Sequence, residues 1–471
     1  MTKKKRFITN SIIFTISNFS SKILIFFLLP VYTRYLTPSE LGEGDILILV
    51  LGLISPILTL AVTEGVLRFS MSKNNNTNAV FTYGILVIFA GFFLLIILSP
   101  IFFLFEMFSK YIWLLILIFL FTSLNMYMNQ FLRGVNKIKL IGVVGIISTL
   151  VFISSTLIFI VILNYGVFGY LLAFISMNFV SFLILAIFGK VHRYFSIKSL
   201  TKSEVHDVNK FNLPLIPSKI SFNLINSSGR YVTIIILGAS FTGILSAAFR
   251  IPAVLTAIYA IINQAMLLST IDEFETEGKF GFFEKLYVHL DEILFLSAIF
   301  IGSTIKIYGS FFFYGEYFEA YKIVPFLLAA TYFGSLHGSL TSFYTALKNT
   351  KYLAYTAVAG MIIAIILNIL FIYMFGIVGI GLANVLVYFL MWLLLYTKAD
   401  LKLKSVKNTE KMIFKCIILV LSILLVNVLD GLMYYVSCFL IIVITVVFVK
   451  NEIAFLFKSI ISVIKDKIIK T

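Results

Sequence analysis

Long apolar runs dominate the chain from residue 10 to residue 449, and short stretches of charge or of Asn, Gly and Pro interrupt them. A helix needs about 20 apolar residues to cross the hydrocarbon core of a bilayer. The pattern predicts fourteen membrane-spanning helices, at 10–31, 44–67, 79–105, 111–132, 140–163, 167–189, 211–236, 241–268, 286–313, 318–345, 352–375, 377–397, 411–429 and 432–449. No A-x-A cleavage site follows the first run, so we expect it to remain as a span.

The composition agrees with this pattern and excludes other classes of protein. Of 471 residues, 61% are apolar and 12% are charged, and the mean hydropathy is +1.06. Soluble domains are about 45–50% apolar and about 25% charged. An ordinary soluble enzyme and a disordered chain are therefore excluded. The two Cys exclude a secreted disulfide scaffold.

The net charge of +16 predicts membrane orientation rather than a nucleic-acid partner. Of the 37 Lys and Arg residues, 29 fall in the segments that an inside N-terminus would make cytoplasmic, and 4 fall on the opposite side. Cytoplasmic loops collect Lys and Arg, so both chain ends are expected in the cytoplasm. The tail 450–471 alternates apolar residues and lysines at helical spacing, which predicts a basic amphipathic helix on the inner leaflet.

An internal repeat relates the two halves of the chain. Ser21-Lys22-Ile23 returns as Ser218-Lys219-Ile220, Gly42 returns as Gly243, and Gly166…Gly169 returns as Gly376…Gly379. Six spans separate the copies, so they have the same orientation and form a parallel repeat. The predicted domains are a six-helix bundle at 1–190, a cytoplasmic linker at 191–210, a second six-helix bundle at 211–397, two extra helices at 411–449 and the tail at 450–471.

Polar side chains form stripes inside corresponding spans of the two halves. Lys219, Asn223, Asn226 and Arg230 share one face of the seventh span, and Ser11, Thr15, Asn18 and Lys22 have the same spacing in the first. We expect these stripes to face a central cavity together with Arg250. Three alternatives stay open, namely interhelical hydrogen bonding by the polar residues, snorkelling of Lys22 or Lys219, and interfacial anchoring by Arg230. The fourth span has a similar stripe with the same hydrogen-bonding alternative, formed by Thr122, Asn125, Asn129 and Arg133.

The cations of spans one, seven and eight predict an anionic ligand. Lys22, Lys219, Arg230 and Arg250 are expected to lack a nearby buried acid, which suits a phosphate or pyrophosphate. Glu64 lies four residues before Arg68, and this spacing allows either a simple ion pair or a role of Glu64 in gating or coupling.

Several catalytic signatures are missing from the sequence. It contains no G-x-x-x-x-G-K-[ST] motif, and its four His and two Cys form no metal-binding pattern. The predicted outer loops are short, whereas a membrane polymerase or transferase would need a large one. We therefore expect no enzyme activity, no catalytic residue, no metal and no cofactor, with H⁺ or Na⁺ as the candidate coupling ion.

Several segments resemble the polysaccharide-type exporters of the multidrug/oligosaccharidyl-lipid/polysaccharide (MOP) superfamily, and within it the Wzx-type flippases. They are PVYTRYLTPSELGEGDI and EGVLRF within Asn18–Phe69, FLRGVNKIKLIG, GVFGYLLA and NLPLIPSKIS. The resemblance implies an all-α integral membrane fold like that of the multidrug exporters of the superfamily (MATE). It has two parallel six-helix bundles and two extra helices. It also implies cavity-lining cations at Lys22, Arg68, Lys219, Arg230 and Arg250.

The function implied is translocation of an undecaprenyl-pyrophosphate-linked oligosaccharide, such as an O-antigen or capsule repeat unit, across the bacterial cytoplasmic membrane by alternating access. The expected partners are this lipid-linked oligosaccharide, membrane lipids, a polysaccharide polymerase and other assembly proteins. The protein is expected to be a monomer that binds no nucleic acid. The alternatives are a lipid II flippase, a multidrug or cation antiporter of the same fold, and a membrane polysaccharide polymerase.

Overall fold

The computed structural model describes residues 26–71, 76–273, 281–346, 351–398 and 409–449. The regular elements in these ranges are helices, and no strand occurs among them. In chain order the α-helices are α1 (Leu29–Tyr35), α2 (Pro38–Leu58), α3 (Val62–Met71), α4 (Thr77–Phe102), α5 (Glu106–Ser109), α6 (Ile112–Gly134), α7 (Ile138–Thr156), α8 (Gly166–Phe188), α9 (Lys202–Asn212), α10 (Leu215–Ile236), α11 (Ala239–Arg250), α12 (Pro252–Glu273), α13 (Gly281–Ser303), α14 (Ile305–Phe312), α15 (Val324–Ala346), α16 (Lys351–Lys398), α17 (Thr409–Val428) and α18 (Gly431–Phe448).

Shorter helical turns complete the chain. A π-helical turn at Leu157–Ile162 continues α7, and 3₁₀ turns lie at Val191–Tyr194, Ile197–Ser199 and Gly315–Lys322. The capping box of α2 is complete, because the Thr37 side chain accepts from the Glu40 amide while the Glu40 carboxylate accepts from the Thr37 amide.

The predicted multi-pass membrane architecture is confirmed. Within the described ranges, ten helices are long and apolar enough to cross a membrane, and the bent pair Gly315–Lys322 and Val324–Thr345 allows an eleventh. Large apolar side chains such as Phe93, Ile97 and Leu104 are 58%, 71% and 80% exposed, which suits a lipid surface. The count of fourteen spans stays a prediction. Most of the predicted first span, with Asn18 and Lys22, and the tail 450–471 lie outside the described residues.

The second predicted span, 44–67, is broken in the structure. Helix α2 ends at Leu58, and Leu60 and Ala61 have left-handed φ angles of 47° and 50° before α3 begins at Val62. Pro56 lies inside the last turn of α2. Because proline has no backbone N–H, it cannot bond to the carbonyl four residues earlier, which belongs to Gly52. The sequence pattern alone predicted a continuous helix here.

Backbone geometry supports the repeat that the sequence predicts. Gly166 and Gly376 have φ angles of 53° and 60°. Gly166 begins α8, and Gly376 interrupts the 48-residue helix α16. The break in α16 separates the predicted eleventh and twelfth spans. Gly169 and Gly379 also correspond, since a Cβ at either position would meet a carbonyl oxygen of the preceding helix, that of Phe159 or that of Phe371.

The chain divides into two compact units. Unit 1 consists of the described residues within Met1–Arg250, Phe313–Tyr317 and Ala357–Ile380. Unit 2 consists of the described residues within Ile251–Phe312, Phe318–Thr356 and Gly381–Thr471. Tyr127, Phe131 and Leu132 of α6 lie in a buried core cluster of unit 1. Leu290, Leu294 and Phe295 of α13 are fully buried in unit 2.

Helices α2 and α11 of unit 1 cross at two glycines. A Cβ built at Gly42 would meet the Ala239 carbonyl oxygen, and one at Gly243 would meet the Pro38 carbonyl oxygen. Any larger side chain would therefore force the two backbones apart. These are the two glycines that the sequence repeat relates to each other.

Candidate functional site

Helix α10 carries the polar stripe that the sequence predicts. Lys219 Nζ lies 2.5 Å from Glu64 Oε1 of α3, and Asn223 Nδ2 donates to the Gly52 carbonyl oxygen of α2 at 2.9 Å. The Asn226 amide instead donates to the Phe222 carbonyl oxygen of its own helix at 2.7 Å. Lys219 and Asn223 therefore join α10 to the neighbouring helices.

Pro56 explains why the Asn223 contact forms. The Gly52 carbonyl lacks its normal helical donor, because residue 56 is proline. The side-chain amide of Asn223 takes the place of that donor. One turn nearer the N-terminus of α2, the Tyr231 hydroxyl donates to the Leu49 carbonyl oxygen at 2.8 Å. Two polar side chains of α10 thus bond to the backbone of α2.

A cavity of about 340 Å³ lies in unit 1 beside this contact. Its wall comes from α2, α3, α6, α8 and α10, and it includes the break between α2 and α3. Irregular backbone is tolerated at membrane depth where it lines a cavity. Most of the lining is apolar, and the polar side chains that line it are Ser55, Thr59, Thr63, Glu64, Thr122, Ser123, Lys219 and Asn223. The cavity can therefore hold an amphipathic molecule.

A second charged cluster of unit 1 is centred on Asp45. Arg230 Nη1 lies 3.6 Å from Asp45 Oδ2, and Arg250 Nη2 lies 3.7 Å from Asp45 Oδ1. The Tyr170 hydroxyl donates to Asp45 Oδ1 at 2.6 Å and accepts from Arg250 Nη2 at 3.2 Å. The Arg250 guanidinium also stacks on the Tyr32 ring, 4.2 Å from its centroid. All three charged side chains are less than one-fifth exposed.

The Asp45 cluster has an uncompensated positive charge. Two guanidinium groups face one carboxylate, and Nε of Arg230 is buried with no hydrogen-bond acceptor in the described part of the chain. A buried donor without an acceptor is unfavourable, so the cluster can accept an anionic oxygen.

The expectation that the intramembrane cations lack nearby acids is wrong for Lys219, Arg230 and Arg250, whereas Lys22 lies outside the described residues. Arg230 and Arg250 share Asp45, and Lys219 pairs with Glu64. Sequence spacing could not show these pairs, because each joins two different helices. An uncompensated charge in an apolar medium is very costly, and the paired acids lower this cost.

Arg68 and the polar residue Asn125 of the fourth predicted span form no hydrogen bond or ion pair with the Lys219–Glu64 pair or the Asp45 cluster in the described residues. The Arg68 guanidinium lies over the Phe211 ring, 4.4 Å from its centroid, while Glu64 reaches Lys219. Asn125 of the fourth predicted span accepts from Ser181 at 2.8 Å and donates to Asn178 at 3.0 Å, as the hydrogen-bonding alternative predicts. Within the described residues, no group of three or more His, Cys, Asp or Glu could hold a metal ion.

Sequence reasoning missed the charged cluster of unit 2. Lys415 lies near the start of the predicted thirteenth span and is one of the 29 cations assigned above to cytoplasmic segments. It is buried in α17, where it pairs with Asp291 and Glu292 of α13. The signal was present, since both acids fall inside the predicted ninth span. Asp45 was missed in the same way within the predicted second span.

Solved structures define the class of fold. The chain is similar to the lipid II flippase MurJ in an inward closed conformation, with 18% identity, a TM-score of 0.67, and coverage of 94% of this chain and 100% of that one. It is also similar to an inward-facing multidrug resistance MATE transporter of the MOP superfamily, with 16% identity, a TM-score of 0.64, and coverage of 84% and 96%. A third relative is a MOP superfamily transporter from Pyrococcus furiosus, with 15% identity, a TM-score of 0.57, and coverage of 86% and 97%.

The chain therefore has a fold similar to that of these MurJ and MATE structures, as the sequence resemblance predicts. The sequence profile of a family described as polysaccharide biosynthesis protein matches residues 7–271, which is more than half of the chain. The chain belongs to this polysaccharide biosynthesis family. Among curated protein sequences, none matches it.

Proposed function

We propose that the protein is a flippase that moves a polyprenyl-pyrophosphate-linked oligosaccharide across the bacterial cytoplasmic membrane by alternating access. The observation that carries the proposal is the family match over residues 7–271, in a chain with the MOP fold. Undecaprenyl is the expected polyprenyl group, and an O-antigen or capsule repeat unit is the expected glycan. The protein performs no covalent chemistry.

The chemistry of the unit 1 cavity supports this substrate class. A lipid-linked sugar has an apolar tail, an anionic pyrophosphate and a polar glycan. Lys219 supplies an ammonium for the pyrophosphate, and the hydroxyl and amide groups of Thr59, Thr63 and Asn223 suit sugar hydroxyls. Displacement of the Glu64 carboxylate from Lys219 by the pyrophosphate exchanges one anionic partner for another. We therefore assign Glu64 a gating role.

The Asp45 cluster provides a second site for the same anion. Lys219 and Arg230 are eleven residues apart on α10, which corresponds to about 16 Å along the helix axis. By the distribution of charged loops, Lys219 is on the cytoplasmic side and Arg230 on the outer side. The pyrophosphate would pass from Lys219 to the arginine pair, where Arg230 Nε offers a buried donor. Lys22, Asn18 and Arg68 stay proposed members of this path, and a lipid-exposed route would carry the polyprenyl tail.

A multidrug or cation exporter is the second candidate function. The observation that favours it is the presence of two carboxylates in unit 1, Glu64 beside Lys219 and Asp45 beside Arg230. A cationic substrate would compete with Lys219 for Glu64, whereas an anionic one would compete with Glu64 for Lys219.

The test is the pool of lipid-linked glycans in cells that lack this chain. Mass spectrometry gives the glycan structure, and labelling by a membrane-impermeant enzyme gives the leaflet. We expect complete repeat units trapped on the inner leaflet, and restored outer-leaflet labelling when the chain is supplied again. Truncated units would indicate a transferase, complete units on the outer leaflet a polymerase, and an unchanged pool the export of drugs or cations.

A further inference from the structure

A basic turn follows α8, on the side of unit 1 that the charge pattern predicts to be cytoplasmic. Helix α8 ends at Phe188, and the 3₁₀ turn Val191–Tyr194 begins three residues later. The Arg193 amide donates to the Lys190 carbonyl oxygen at 3.2 Å. This bond between residues three apart places Lys190 and Arg193 within a single turn. Both residues are exposed.

Lys137, which directly precedes α7, adds a third cation to this turn. Its Nζ donates to the Gly189 carbonyl oxygen at 2.6 Å and lies 5.8 Å from the centroid of the Tyr194 ring. Because Gly189 and Tyr194 flank the basic turn, these contacts hold the ammonium against it. Burial and the nearby charges of Lys190 and Arg193 lower the pKa of the Lys137 ammonium. We call these three cations the basic triad.

No acid compensates the basic triad in the part of the chain that the structure describes. None of its three members forms an ion pair with a carboxylate there. Between Glu106 and Glu204 the sequence contains eight Lys and Arg residues and no Asp or Glu. Membrane orientation explains why cations gather on this side, but not why three of them lie together without an acid. Such an arrangement suits an anionic ligand.

The core of unit 1 holds the basic turn in place. Val191 is buried in the core cluster that contains Phe131. The Tyr194 ring packs edge-on against the Phe131 ring, with 5.0 Å between their centroids. The Ser196 amide donates to the Thr82 hydroxyl of α4 at 2.8 Å. Cations on a fixed backbone lose less conformational freedom when they bind an anion than cations on a mobile loop.

Exposed apolar side chains lie directly before and after the basic turn. Ile187 and Phe188 are 64% and 67% exposed, and Ile197 is 64% exposed. At the end of a membrane span, such side chains suit contact with acyl chains, while Lys and Arg side chains reach the headgroups. A small soluble anion would gain nothing from these apolar neighbours. The surroundings of the basic triad therefore favour an anion that is attached to a lipid.

We propose that Lys137, Lys190 and Arg193 form a binding site for the phosphate of an anionic phospholipid in the inner leaflet. Lys190 and Arg193 donate hydrogen bonds to the phosphate oxygens, and Lys137 adds its charge from its fixed position at the Gly189 carbonyl. The acyl chains lie against the exposed apolar end of α8. This phospholipid is a resident of the membrane and not a transported substrate, so the proposal does not depend on the proposed function.

A purely structural role of the basic triad is the alternative. Cations near the C-terminal end of a helix stabilise it through the helix dipole, and Lys137 does so at the end of α8. The side chains of Lys190 and Arg193 form no hydrogen bond within the described residues. Their donors are therefore available to a ligand, and a structural role leaves them without a function.

Native mass spectrometry of the full chain in a non-ionic detergent tests the site. The probes are dioctanoyl phosphatidylglycerol, which is anionic, and dioctanoyl phosphatidylcholine, which has no net charge. The double variant Lys190→Asn with Arg193→Gln removes both exposed charges, and asparagine suits the left-handed φ of 50° at position 190. Each basic residue near an anionic lipid surface changes the affinity about 5-fold, so we expect phosphatidylglycerol to bind roughly 10- to 30-fold more weakly. Phosphatidylcholine should bind both proteins equally.

Lys202→Gln with Lys210→Gln is the matched control, because it removes the same charge from two exposed lysines of α9. This control should bind phosphatidylglycerol as the wild type does. An equal loss in the two double variants would overturn the proposal, since it would show attraction by net charge alone. Inorganic phosphate that displaces phosphatidylglycerol at equal concentration would also overturn it, because the ligand would then be a soluble anion.

Two single variants keep the result decisive if the double variant fails to fold. Arg193→Gln should weaken phosphatidylglycerol binding about 5-fold, whereas Arg193→Lys retains the charge and should keep most of the affinity. Wild-type affinity in Arg193→Gln would contradict the site. A lower unfolding temperature without a change in lipid preference would assign the basic triad a structural role instead. Neither probe contains a pyrophosphate or a sugar, so these results are independent of whether the chain is a flippase.

Discussion

Lys219 of α10 and Glu64 of α3 form an ion pair in the cavity wall of unit 1, with 2.5 Å between Nζ and Oε1. The two side chains are 44% and 36% exposed, so the pair contributes little to folding stability, at most about 1 kcal/mol. A partly exposed pair at a cavity can exchange partners readily. The pair is therefore better suited to function than to stability.

The Lys219→Ala variant tests whether the ion pair serves substrate binding rather than folding stability. We expect the affinity for a pyrophosphate-linked lipid to fall roughly 10- to 100-fold, because a hydrogen bond to a charged group contributes about 1.5–3 kcal/mol. The thermal unfolding temperature should stay close to wild type. Binding of a short-chain polyprenyl-pyrophosphate sugar to the purified chain measures the first effect. Lys210→Ala, an exposed lysine of α9, is the control, and wild-type binding by Lys219→Ala would contradict the assignment.

Asp45→Asn should destabilise unit 1. The substitution keeps the shape of the side chain but leaves Arg230 and Arg250 without a counter-charge. Removing one partner of a buried pair typically costs roughly 3–5 kcal/mol. Thermal unfolding in detergent measures the effect, with Asp207→Asn as the control, because Asp207 is exposed on α9. Equal unfolding temperatures for the two variants would mean that the arginines do not depend on Asp45.

Gly243→Ala should loosen the crossing of α2 and α11. The new methyl group would meet the Pro38 carbonyl, a backbone atom that cannot rotate away. Overpacking of this kind costs about 1–3 kcal/mol in the free energy of unfolding. Gly145→Ala is the matched control, because a Cβ at that helical position meets nothing within 4 Å. There the substitution should stabilise the helix by about 0.5–1 kcal/mol. The same sign of change in both variants would refute the close approach.

Ala61→Gly should stabilise the protein or leave its stability unchanged, although glycine usually weakens helical proteins. Ala61 has a φ of 50°, a conformation that costs an L-residue roughly 1–2 kcal/mol and glycine almost nothing. Ala186→Gly, inside α8, should instead lower the free energy of unfolding by about 1 kcal/mol. Chemical denaturation of both variants measures the contrast. A comparable loss in Ala61→Gly would argue against the left-handed break.

Hydropathy predicted most of the fold, because lipid imposes a strong constraint on each span separately. Helices α4, α6 and α8 agree with the predicted spans within a few residues. The break at Leu60 and Ala61 was not predictable in this way. Pro56 signals a weak point, but proline is also tolerated in straight or kinked spans. Only the packing around the cavity decides between these outcomes.

The sequence predicted the positions of the site residues on their own helix, but not their partners on other helices. Helical spacing placed Lys219, Asn223 and Arg230 on one face correctly, since that property belongs to a single helix. The partners Glu64, Gly52 and Asp45 lie on other helices, and one sequence contains no signal for such pairings. Lys415, Asp291 and Glu292 were visible as charges at membrane depth, and a search of every span for such charges would have found them.

The bond between Asn223 and the Gly52 carbonyl has a mechanical consequence. In an uninterrupted helix, that carbonyl would accept a hydrogen bond from the amide four residues later. Here Pro56 leaves it available at the edge of a cavity large enough for water. If α10 slides away from α2, a water molecule can replace the amide at little net cost. The two helices can therefore separate without leaving the Gly52 carbonyl unpaired.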